Sequence, residues 1–599
     1  MNFTCGIQVL DGSSETSFTS GKKEPKIPSM DSDGWLFYPE GAEKVLRSQT
    51  LHLVHPPDQG LIRLLSGSDF DGIGEEIAKK IVTFGCAKVL KFLDDDAINL
   101  TQELSVSKNI GKSLRDGWDI DPDERNLKIL LYELGFSNSV VNFMLDEYGA
   151  EIIQLLVLQP YSLAIEIPRL SFEDIQVVVD KLSLDIAIEE KILAGIQYCL
   201  LRIEKQRGHT AAPVKRVFKD LKEQFEFEAT DFEAALKLND NNLVVDKIDN
   251  QTFLQTNKTH EIETEIVKRI QTIMDNANEK EFENKKSVKN SLPKGMVMSD
   301  EQLGVLDQTL NSPVSVVTGG PGTGKTTIII ALLKALEDQG KEITVCAPTG
   351  RAAKRLSETP GMNNYKPTTI HMMLQTITQK SSLDVLVIDE ASMIDASLMA
   401  QVCKVMDKRT RLVLIGDADQ LPPVQAGQVF KDFINSGVIP VGRLTKIFRQ
   451  QSGSDIISAS QRIISGSFPR SGDGQSERDF SFIDVSNDND LEKLVVNFYL
   501  QKLKDQLNLN PLTDIQIISP MRKGVLGIDN LNQTIQSILF GGHEPVIKQK
   551  YGLNYYTGDK IIQTKNNYEK GIMNGDNGMI AGKDEEGLLL VFDGKTVKD

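Results

Sequence analysis

A lysine and a threonine end a glycine-rich run, GGPGTGKT at 319–326. The run matches the pattern G-x-x-x-x-G-K-[ST], whose glycines let backbone amides approach phosphate oxygens closely. Lys325 should reach the β- and γ-phosphates of a nucleotide, and Thr326 should ligate Mg²⁺. A chance glycine-rich turn is the alternative. The candidate nucleotide-binding residues of this run are Gly319, Gly320, Pro321, Gly322, Thr323, Gly324, Lys325, Thr326 and Thr327.

Two further polar groups follow apolar runs later in the chain. Asp389 and Glu390 come after the run at 385–388, and Gln420 follows the run at 412–415. Asp389 is predicted to hold Mg²⁺ through water, and Glu390 to orient or deprotonate an attacking water. The Gln420 amide could sense the γ-phosphate, beside two prolines that stiffen its loop. A solvated acidic turn and a purely structural turn are the alternatives.

The elements that must position these groups alternate between strands and helices from about residue 298. Strands are predicted at 314–317, 343–347, 385–388, 412–415 and 515–519, and a helix at 326–338. This alternation indicates a parallel sheet, whose carboxyl edge is where ligands bind. The loop, the acids and Gln420 should therefore meet at one edge.

Length and composition limit the protein class. The 599 residues exceed one hydrophobic core, and the net charge of −17 argues against non-specific coating of nucleic acid. Five widely spaced cysteines predict no zinc site or disulfide framework and fit a reducing cytoplasm. No signal peptide and no apolar run of about 20 residues is found, so we expect no membrane association.

Domain boundaries follow changes in sequence texture. We predict a poorly defined N-terminal segment, a helical region in which a Gly72-Ile-Gly74 turn opens one amphipathic helix, a helical or winged-helix-like region, a polar linker and two α/β parts. The corresponding ranges are 1–60, 61–185, 186–274, 275–296, 297–440 and 441–599.

The motifs GGPGTGKTT, IDEASM and GDADQLPPV together resemble those of superfamily 1 helicases, closest to the RecD-like branch. Further similar segments are Gln302 ahead of the loop, APTGRAA at 347–353, TIH at 369–371, LTKIFRQ at 444–450, SPMRKG at 519–524 and the SH3-like start at 566–578. The Gly72–Gly74 turn resembles the helix-hairpin-helix repeats of the long RecD-like proteins.

This resemblance implies a multidomain α/β fold. Tandem RecA-like P-loop domains, the second incomplete, would follow a mainly helical helix-hairpin-helix region. ATP and Mg²⁺ would bind between the two domains. Gln302 would contact adenine, and Arg449 would act as an arginine finger on the γ-phosphate. The implied function is ATP-dependent helicase or translocase movement on single-stranded DNA, 5′→3′, in recombination or repair.

The DNA side is predicted from charge. Residues 347–380 carry five lysines and arginines against one acid, Glu358. Thr349 and Arg351, at the start of a helix, are expected to hold a backbone phosphate, and His371 to contact DNA. Gly72 and Gly74 could offer amides to duplex phosphates, although such turns often only pack. Expected partners are single-stranded DNA, duplex junctions, and a single-strand-binding protein or a missing C-terminal polypeptide.

Two departures from the RecD-like pattern shape the alternatives. His371 and Asp389 are close in sequence, which leaves little room for the β-hairpin pin that parts strands in RecD-like proteins. The chain also ends at Asp599 without a counterpart of motifs V and VI. We therefore expect a fragment, a chain completed by another polypeptide, or an ATP-gated DNA-binding protein without efficient hydrolysis. A P-loop enzyme acting on a small molecule, such as a kinase, is a further alternative.

Overall fold

The computed structural model describes residues 58–599 with short gaps, together with the backbone of three strands before residue 58. The gaps are 183, 240–241, 249, 278–291, 294, 363, 378–382, 449–453, 470–478, 503–507, 511–512, 549–553, 568, 585–586, 593–594 and 599. The chain forms two compact units, Met1–Glu261 and Ile262–Asp599. No helix of the described residues is long and apolar enough to cross a bilayer.

The first unit opens with an antiparallel sheet in the order Gly6–Val9, Gln49–Leu53, Trp35–Phe37. Short helices then pack around one apolar core, which includes Leu65, Ile81 and Leu130. The α-helices are Asp58–Leu65, Glu75–Val82, Cys86–Asp94, Leu100–Glu103, Lys108–Trp118, Pro122–Leu134, Asn138–Tyr148, Ile152–Leu158, Leu163–Glu166 and Phe172–Leu182, with 3₁₀ turns at Gly149–Glu151 and Pro160–Ser162.

The remainder of the first unit has a winged-helix arrangement. Its elements are the helix Ile188–Arg207, the strand Ala212–Pro213, the helices Val214–Lys222 and Ala229–Lys237, and the hairpin Leu243–Ile248 with Gln251–Thr256. The strand Gln251–Thr256 lies in the middle of this sheet and pairs with both other strands, and both pairings are antiparallel. A separate apolar core fills it.

A six-stranded parallel sheet forms the centre of the second unit. Its order is Val441–Leu444, Val314–Gly319, Arg411–Gly416, Val385–Ile388, Ile343–Ala347 and Thr368–Thr369. Successive strand residues face opposite layers, since Leu386 joins one core and Val387 the other. Burial on both faces explains why these strands read as continuous apolar runs.

Helices cover both faces of this sheet. They are Asn257–Asp275, which begins in the first unit, Asp300–Leu310, Lys325–Glu337, Gly350–Ser357, Ile370–Thr376, Ala396–Val405 and Val429–Asn435, with a 3₁₀ turn at Ala391–Met393. The helices around Leu306 and Leu332 pack on one face, and those around Met399 and Phe430 on the other. The architecture is the α/β fold expected from the alternating pattern.

Helices and a small sheet follow this domain. The helices are Asp455–Ile464, Asp488–Asn497, the π-helix Phe498–Lys502, and Ile528–Phe540. The sheet, here the C-terminal sheet, is antiparallel in the order Lys560–Ile562, Asn577–Lys583, Leu588–Phe592, Lys595–Lys598.

The strand predicted at 515–519 is wrong. That segment runs as irregular chain, and the Ile515 carbonyl accepts a hydrogen bond from the Lys560 side chain at 2.9 Å. Ile518 is 88% exposed, so the apolar run there is not buried between strands. Apolar composition alone therefore misled the prediction, because a strand needs a paired neighbour.

A contact links a loop of the C-terminal sheet to the parallel-sheet part of the second unit. A Cβ placed on Gly350 would lie 2.5 Å from the Cβ of Met573. Met573 is held in a turn where its backbone N–H donates to the Asp576 carboxylate at 2.9 Å. Met573 therefore packs directly against the first residue of the helix Gly350–Ser357.

Candidate functional site

The glycine-rich loop joins a buried strand to a buried helix. The strand Val314–Gly319 ends where the loop begins, and the helix Lys325–Glu337 starts at its last lysine. Gly322 and Gly324 adopt φ values of +76° and +90°, which favour glycine. A side chain on Gly319 would meet the Thr323 hydroxyl at 2.7 Å. The sequence run therefore matches the backbone geometry that a phosphate-binding loop needs.

Lys325 folds back onto this loop. Its ammonium donates to the carbonyls of Gly319 and Gly320, the latter at 3.0 Å. The Thr323 hydroxyl also donates to the Gly320 carbonyl, at 2.9 Å. The lysine charge is therefore held at the mouth of the loop, where an anionic ligand would compete with these carbonyls.

Asp389 and Glu390 stand at the carboxyl end of the neighbouring strand Val385–Ile388. The Asp389 amide donates to the Cys346 carbonyl at 2.9 Å. Burial raises the pKa of Asp389 to about 6, and the Glu390 charge adds to this, while the Glu390 backbone hydrogen bond, Lys325 and Arg355 oppose it. Glu390 has φ +52°, an uncommon conformation for a residue with a side chain. The backbone thus places both acidic residues at the sheet edge.

Gln420 is connected to the acidic strand end. Its side-chain oxygen accepts a hydrogen bond from the Ser392 hydroxyl at 3.2 Å. Two residues earlier, the Ala418 amide donates to the Thr318 hydroxyl at 3.2 Å, which ties the loop to the phosphate-loop strand. The three motifs are therefore joined by side-chain hydrogen bonds as well as by the sheet.

These groups line one cavity of about 910 Å³. Its wall contains the predicted Gly320, Pro321, Gly322, Gly324, Lys325, Thr326, Thr327, Asp389, Glu390 and Gln420. It also contains residues that the prediction did not assign to it, namely Thr349, Arg351, Ala352, Arg355, Leu356, Glu358, Thr359, Pro360, Met393, Asp417 and Phe448. Glycine amides, a lysine and a hydroxyl facing two carboxylates can bind a polyphosphate with an oxygen-liganded cation. No cluster of three metal-ligating side chains was found among the described residues.

Gln302 lies beside the loop with both polar atoms of its side chain engaged. Its oxygen accepts from the Ser299 amide at 3.0 Å, and its nitrogen donates to the Thr323 carbonyl at 3.3 Å. The side chain is 4% exposed. The structure therefore places Gln302 as a brace between the helix Asp300–Leu310 and the loop, and adenine contact by it stays a prediction.

The segment after the strand Val441–Leu444 returns to the loop. The Phe448 amide donates to the Gly322 carbonyl at 2.8 Å, and the Phe448 ring lines the cavity. The Glu301 carboxylate accepts from the Thr445 amide at 3.0 Å and hydroxyl at 2.7 Å. These hydrogen bonds hold the pKa of Glu301 below its usual range. Arg449, the next residue, lies outside the described residues.

The predicted DNA contacts are divided between several places. Thr349 caps the helix Gly350–Ser357 by accepting from the Ala352 amide at 3.2 Å, and it lines the cavity together with Arg351. His371 is exposed on another helix and does not line the cavity. Gly72, with φ +76°, and Gly74 precede the helix Glu75–Val82 in the first unit. Within the second unit, Thr349 and Arg351 therefore share the cavity wall and His371 does not.

Phe448, Ser392 and Glu301 are the main residues that sequence reasoning missed. Phe448 stands directly before the predicted Arg449, and Ser392 lies within IDEASM, so their motifs were recognised but their side chains were not. Glu301 carried no signal, because its partner Thr445 is 144 positions away. Such contacts depend on the tertiary fold.

Three family profiles match separate parts of the chain. Residues 122–211 match the HHH domain of ATP-dependent RecD2 DNA helicases, and residues 297–481 match an AAA domain. Residues 531–592 match the SH3 domain of ATP-dependent RecD-like DNA helicases. The matched order is the order of the helical region, the parallel-sheet domain and the C-terminal sheet.

Relatives align over longer stretches. An ATP-dependent RecD2 DNA helicase from Deinococcus radiodurans is 28% identical over 556 residues, covering 88% of this chain and 73% of that protein. The RecBCD enzyme subunit RecD from Mycolicibacterium smegmatis is 29% identical over 343 residues, covering 50% of this chain and 60% of that protein. A Bacteroides Pif1 structure bound to single-stranded DNA covers 51% of this chain and 74% of that one at 20% identity, with a TM-score of 0.27.

Proposed function

Because this chain belongs to the RecD-like helicases of superfamily 1, we propose that it is an ATP-hydrolysing motor that moves on single-stranded DNA. The observation that carries this proposal is the single cavity shared by Lys325, Thr326, Asp389, Glu390 and Gln420. Hydrolysis of a triphosphate needs charge neutralisation, a placed water and a sensor of the γ-phosphate, and these five residues together supply groups for all three tasks.

The roles follow from the positions of the groups. Lys325 leaves the loop carbonyls to bind the β- and γ-phosphates. Glu390 orients the attacking water, and Gln420, held by Ser392, senses the γ-phosphate. Arg449 is proposed as the arginine finger, since the Phe448 amide ties the preceding residue to Gly322.

The residues present fit a hard divalent cation. The Thr326 hydroxyl and the Asp389 carboxylate both line the cavity, and oxygen atoms are the ligands that Mg²⁺ prefers. Burial disfavours the charged form of Asp389, so a cation beside it would stabilise that form. Thr326 and Asp389 would therefore hold Mg²⁺, which supplies charge neutralisation at the phosphates.

The DNA side rests on the resemblance and on charge. Thr349, Arg351 and His371 are proposed to contact single-stranded DNA, and Gly72 with Gly74 to contact duplex phosphates. Movement 5′→3′, a role in recombination or repair, a cytoplasmic location and a single-strand-binding partner are proposals of the same kind. So are two RecA-like domains, but the boundary predicted between 297–440 and 441–599 has to move, because the strand Val441–Leu444 pairs with Val314–Gly319 in the sheet of the first domain.

The test measures ATP hydrolysis with and without oligothymidine. We expect stimulation by single-stranded DNA, loss of hydrolysis in Lys325→Ala, and near-normal rates in Lys408→Ala, which removes an exposed lysine outside the cavity. Nucleotide binding without any DNA-stimulated turnover would favour an ATP-gated DNA-binding protein. Turnover that ignores DNA would favour a small-molecule P-loop enzyme.

A further inference from the structure

The winged-helix part of the first unit begins inside the residues matched by the HHH profile, which ends at 211, and its remaining elements from Ala212 to Thr256 lie outside the HHH and AAA matches. Its elements run helix, strand, helix, helix, strand, strand over Ile188–Thr256, with their own core around Ile196, Val217 and Leu254. It is therefore a formed substructure to which the proposed motor assigns no task.

Its charge is unlike that of the whole protein. Between residues 202 and 222 there are seven lysines and arginines against two acids, in a chain of net charge −17. Both acids are engaged, because Glu204 accepts from the Thr259 hydroxyl at 3.4 Å and Asp220 pairs with Arg216 at 2.8 Å. The excess charge therefore faces solvent.

The helix Val214–Lys222 arranges part of this charge in a row. Lys215, Lys219 and Lys222 are exposed and spaced four and three residues apart, which places them on one helix face. None of the three forms a salt bridge within the described part of the chain. Val217 and Leu221 are buried on the opposite face. The row spans roughly 10 Å at the helical rise per residue.

The following helix has the opposite character. In helix-turn-helix proteins, the N-terminal residues of the second of the paired helices enter the major groove. In Ala229–Lys237 this end carries Asp231, and Glu228 and Asp231 close a capping box there. Glu233, two residues after Asp231, is exposed. Carboxylates repel phosphates and rarely suit a groove, so sequence reading by this helix is disfavoured.

We propose that the Lys215, Lys219 and Lys222 face binds the phosphate backbone of duplex DNA without reading its sequence. A row of ammonium groups spaced by one helix face suits the dense and regular charge of a duplex. Single strands are usually held by exposed aromatic rings that stack on bases. The aromatic ring of this helix is unavailable, because Phe218 packs edge-on against Phe227 and Phe232 at 5.3 Å.

The experiment compares two triple variants of the full chain. One carries Lys215→Ala, Lys219→Ala and Lys222→Ala. The control carries Lys237→Ala, Lys247→Ala and Lys258→Ala, which changes the net charge equally and removes exposed lysines from the third helix, the hairpin and the helix that follows it. Fluorescence anisotropy measures the affinity of each protein for blunt DNA duplexes of two unrelated sequences, without nucleotide and across a range of salt concentrations.

We expect the first variant to bind both duplexes about tenfold more weakly at low salt. The magnitude of the slope of log K against log salt should fall by about 2 to 3. The control should leave affinity and slope unchanged, and oligothymidine binding should persist in both variants. DNA-independent ATPase activity and circular dichroism, unchanged in both, verify folding.

Several results would overturn the proposal. Unchanged duplex affinity in the first variant would do so, as would equal weakening by the control. Parallel loss of oligothymidine binding would assign the lysines to the single-strand path. Loss of binding to a fluorescent hexaglutamate peptide with duplex binding intact would indicate an acidic protein partner instead. Since no ATP is present, these results do not depend on whether the motor is active.

Discussion

Phe448 and Gly322 are joined through their backbones, the amide of the first donating to the carbonyl of the second at 2.8 Å. This bond attaches the segment that follows the last sheet strand to the middle of the phosphate loop. It also leaves the Phe448 ring, 49% exposed, on the wall of the cavity. A flat apolar surface is thereby fixed beside the loop.

Replacing Phe448 by alanine keeps the backbone bond and removes only the ring. We expect KM for ATP to rise about tenfold with a smaller change in kcat, because loss of an aromatic stacking partner weakens binding of a base. Steady-state ATPase assays measure both constants. Phe468→Ala is the control, since its ring is 82% exposed and does not line the cavity. An unchanged KM in the Phe448 variant would rule out contact with the nucleotide.

Glu301 should act as a positioning residue for the same segment. Its carboxylate accepts from the Thr445 amide and hydroxyl and from the Lys446 amide at 3.3 Å. Glu301→Ala removes these acceptors, so we expect severalfold faster amide hydrogen exchange at 445–448 and a higher KM for ATP. Glu301→Gln keeps one acceptor oxygen, so its exchange rate and its KM should lie between those of the parent protein and those of Glu301→Ala.

The matched control for this prediction is Asp307→Ala, an exposed acid on the same helix. The lowered pKa of Glu301 means that its contribution is present above the unfolded value near 4.5 and is lost as pH falls through the folded value. The two Glu301 variants should therefore differ from the parent protein in exchange rate at neutral pH, where the carboxylate is ionised. Identical exchange rates in the parent, Glu301→Ala and Glu301→Gln would remove Glu301 from this role.

Gln302 offers a test between two roles. Both polar atoms of the Gln302 side chain form hydrogen bonds to protein groups. Gln302→Ala should therefore loosen the phosphate loop and weaken the binding of ATP, GTP and CTP to the same extent. Recognition of adenine, the role implied by the resemblance, would instead make the loss specific to ATP. Competition binding with the three nucleotides separates these outcomes, and a loss confined to ATP would refute the bracing role.

The buried carboxylate of Asp389 should lower the free energy of unfolding at neutral pH. Its folded pKa of about 6 exceeds the unfolded 3.8, so the protonated form stabilises the fold below the unfolded value, and this contribution is lost as pH rises through 6. Asp389→Asn imitates the protonated acid. We expect it to raise stability at pH 7.5 by up to about 3 kcal/mol, and by less at pH 5.

Thermal unfolding in EDTA without nucleotide measures this effect in the absence of any bound cation. Glu358→Gln, on the same cavity wall but exposed, serves as the control and should not change the melting temperature. A lower melting temperature for Asp389→Asn at pH 7.5 would show that the ionised carboxylate stabilises the fold.

The phosphate loop and the sheet strands were predicted correctly because each depends on residues that are neighbours in sequence. Glycines with positive φ and a buried strand before them determine the phosphate loop, and the strands at 343–347 and 385–388 agree with the structure to the residue. Each of these features depends on neighbours in sequence or on burial of a continuous apolar run. The positions of Lys325, Asp389 and Gln420 around one cavity then follow from parallel-sheet topology.

Contacts between distant segments were beyond such reasoning. Thr349 and Arg351 were assigned to DNA from the local charge and from their place at the start of a helix, but that helix also forms a wall of the nucleotide cavity. The run at 515–519 has the composition of a strand and lacks a strand's pairing. In each case the deciding fact is which segment lies alongside, and that is set by the whole chain.

The packing of Met573 on Gly350 constrains how these two positions can vary. Even the single methyl of alanine at 350 would fall within 2.5 Å of the methionine side chain, so the helix or the distant loop would have to move. Natural variants with a larger residue at one position are therefore expected to carry a smaller one at the other. Sequence covariation between two sites more than two hundred residues apart would be the evolutionary trace of this contact.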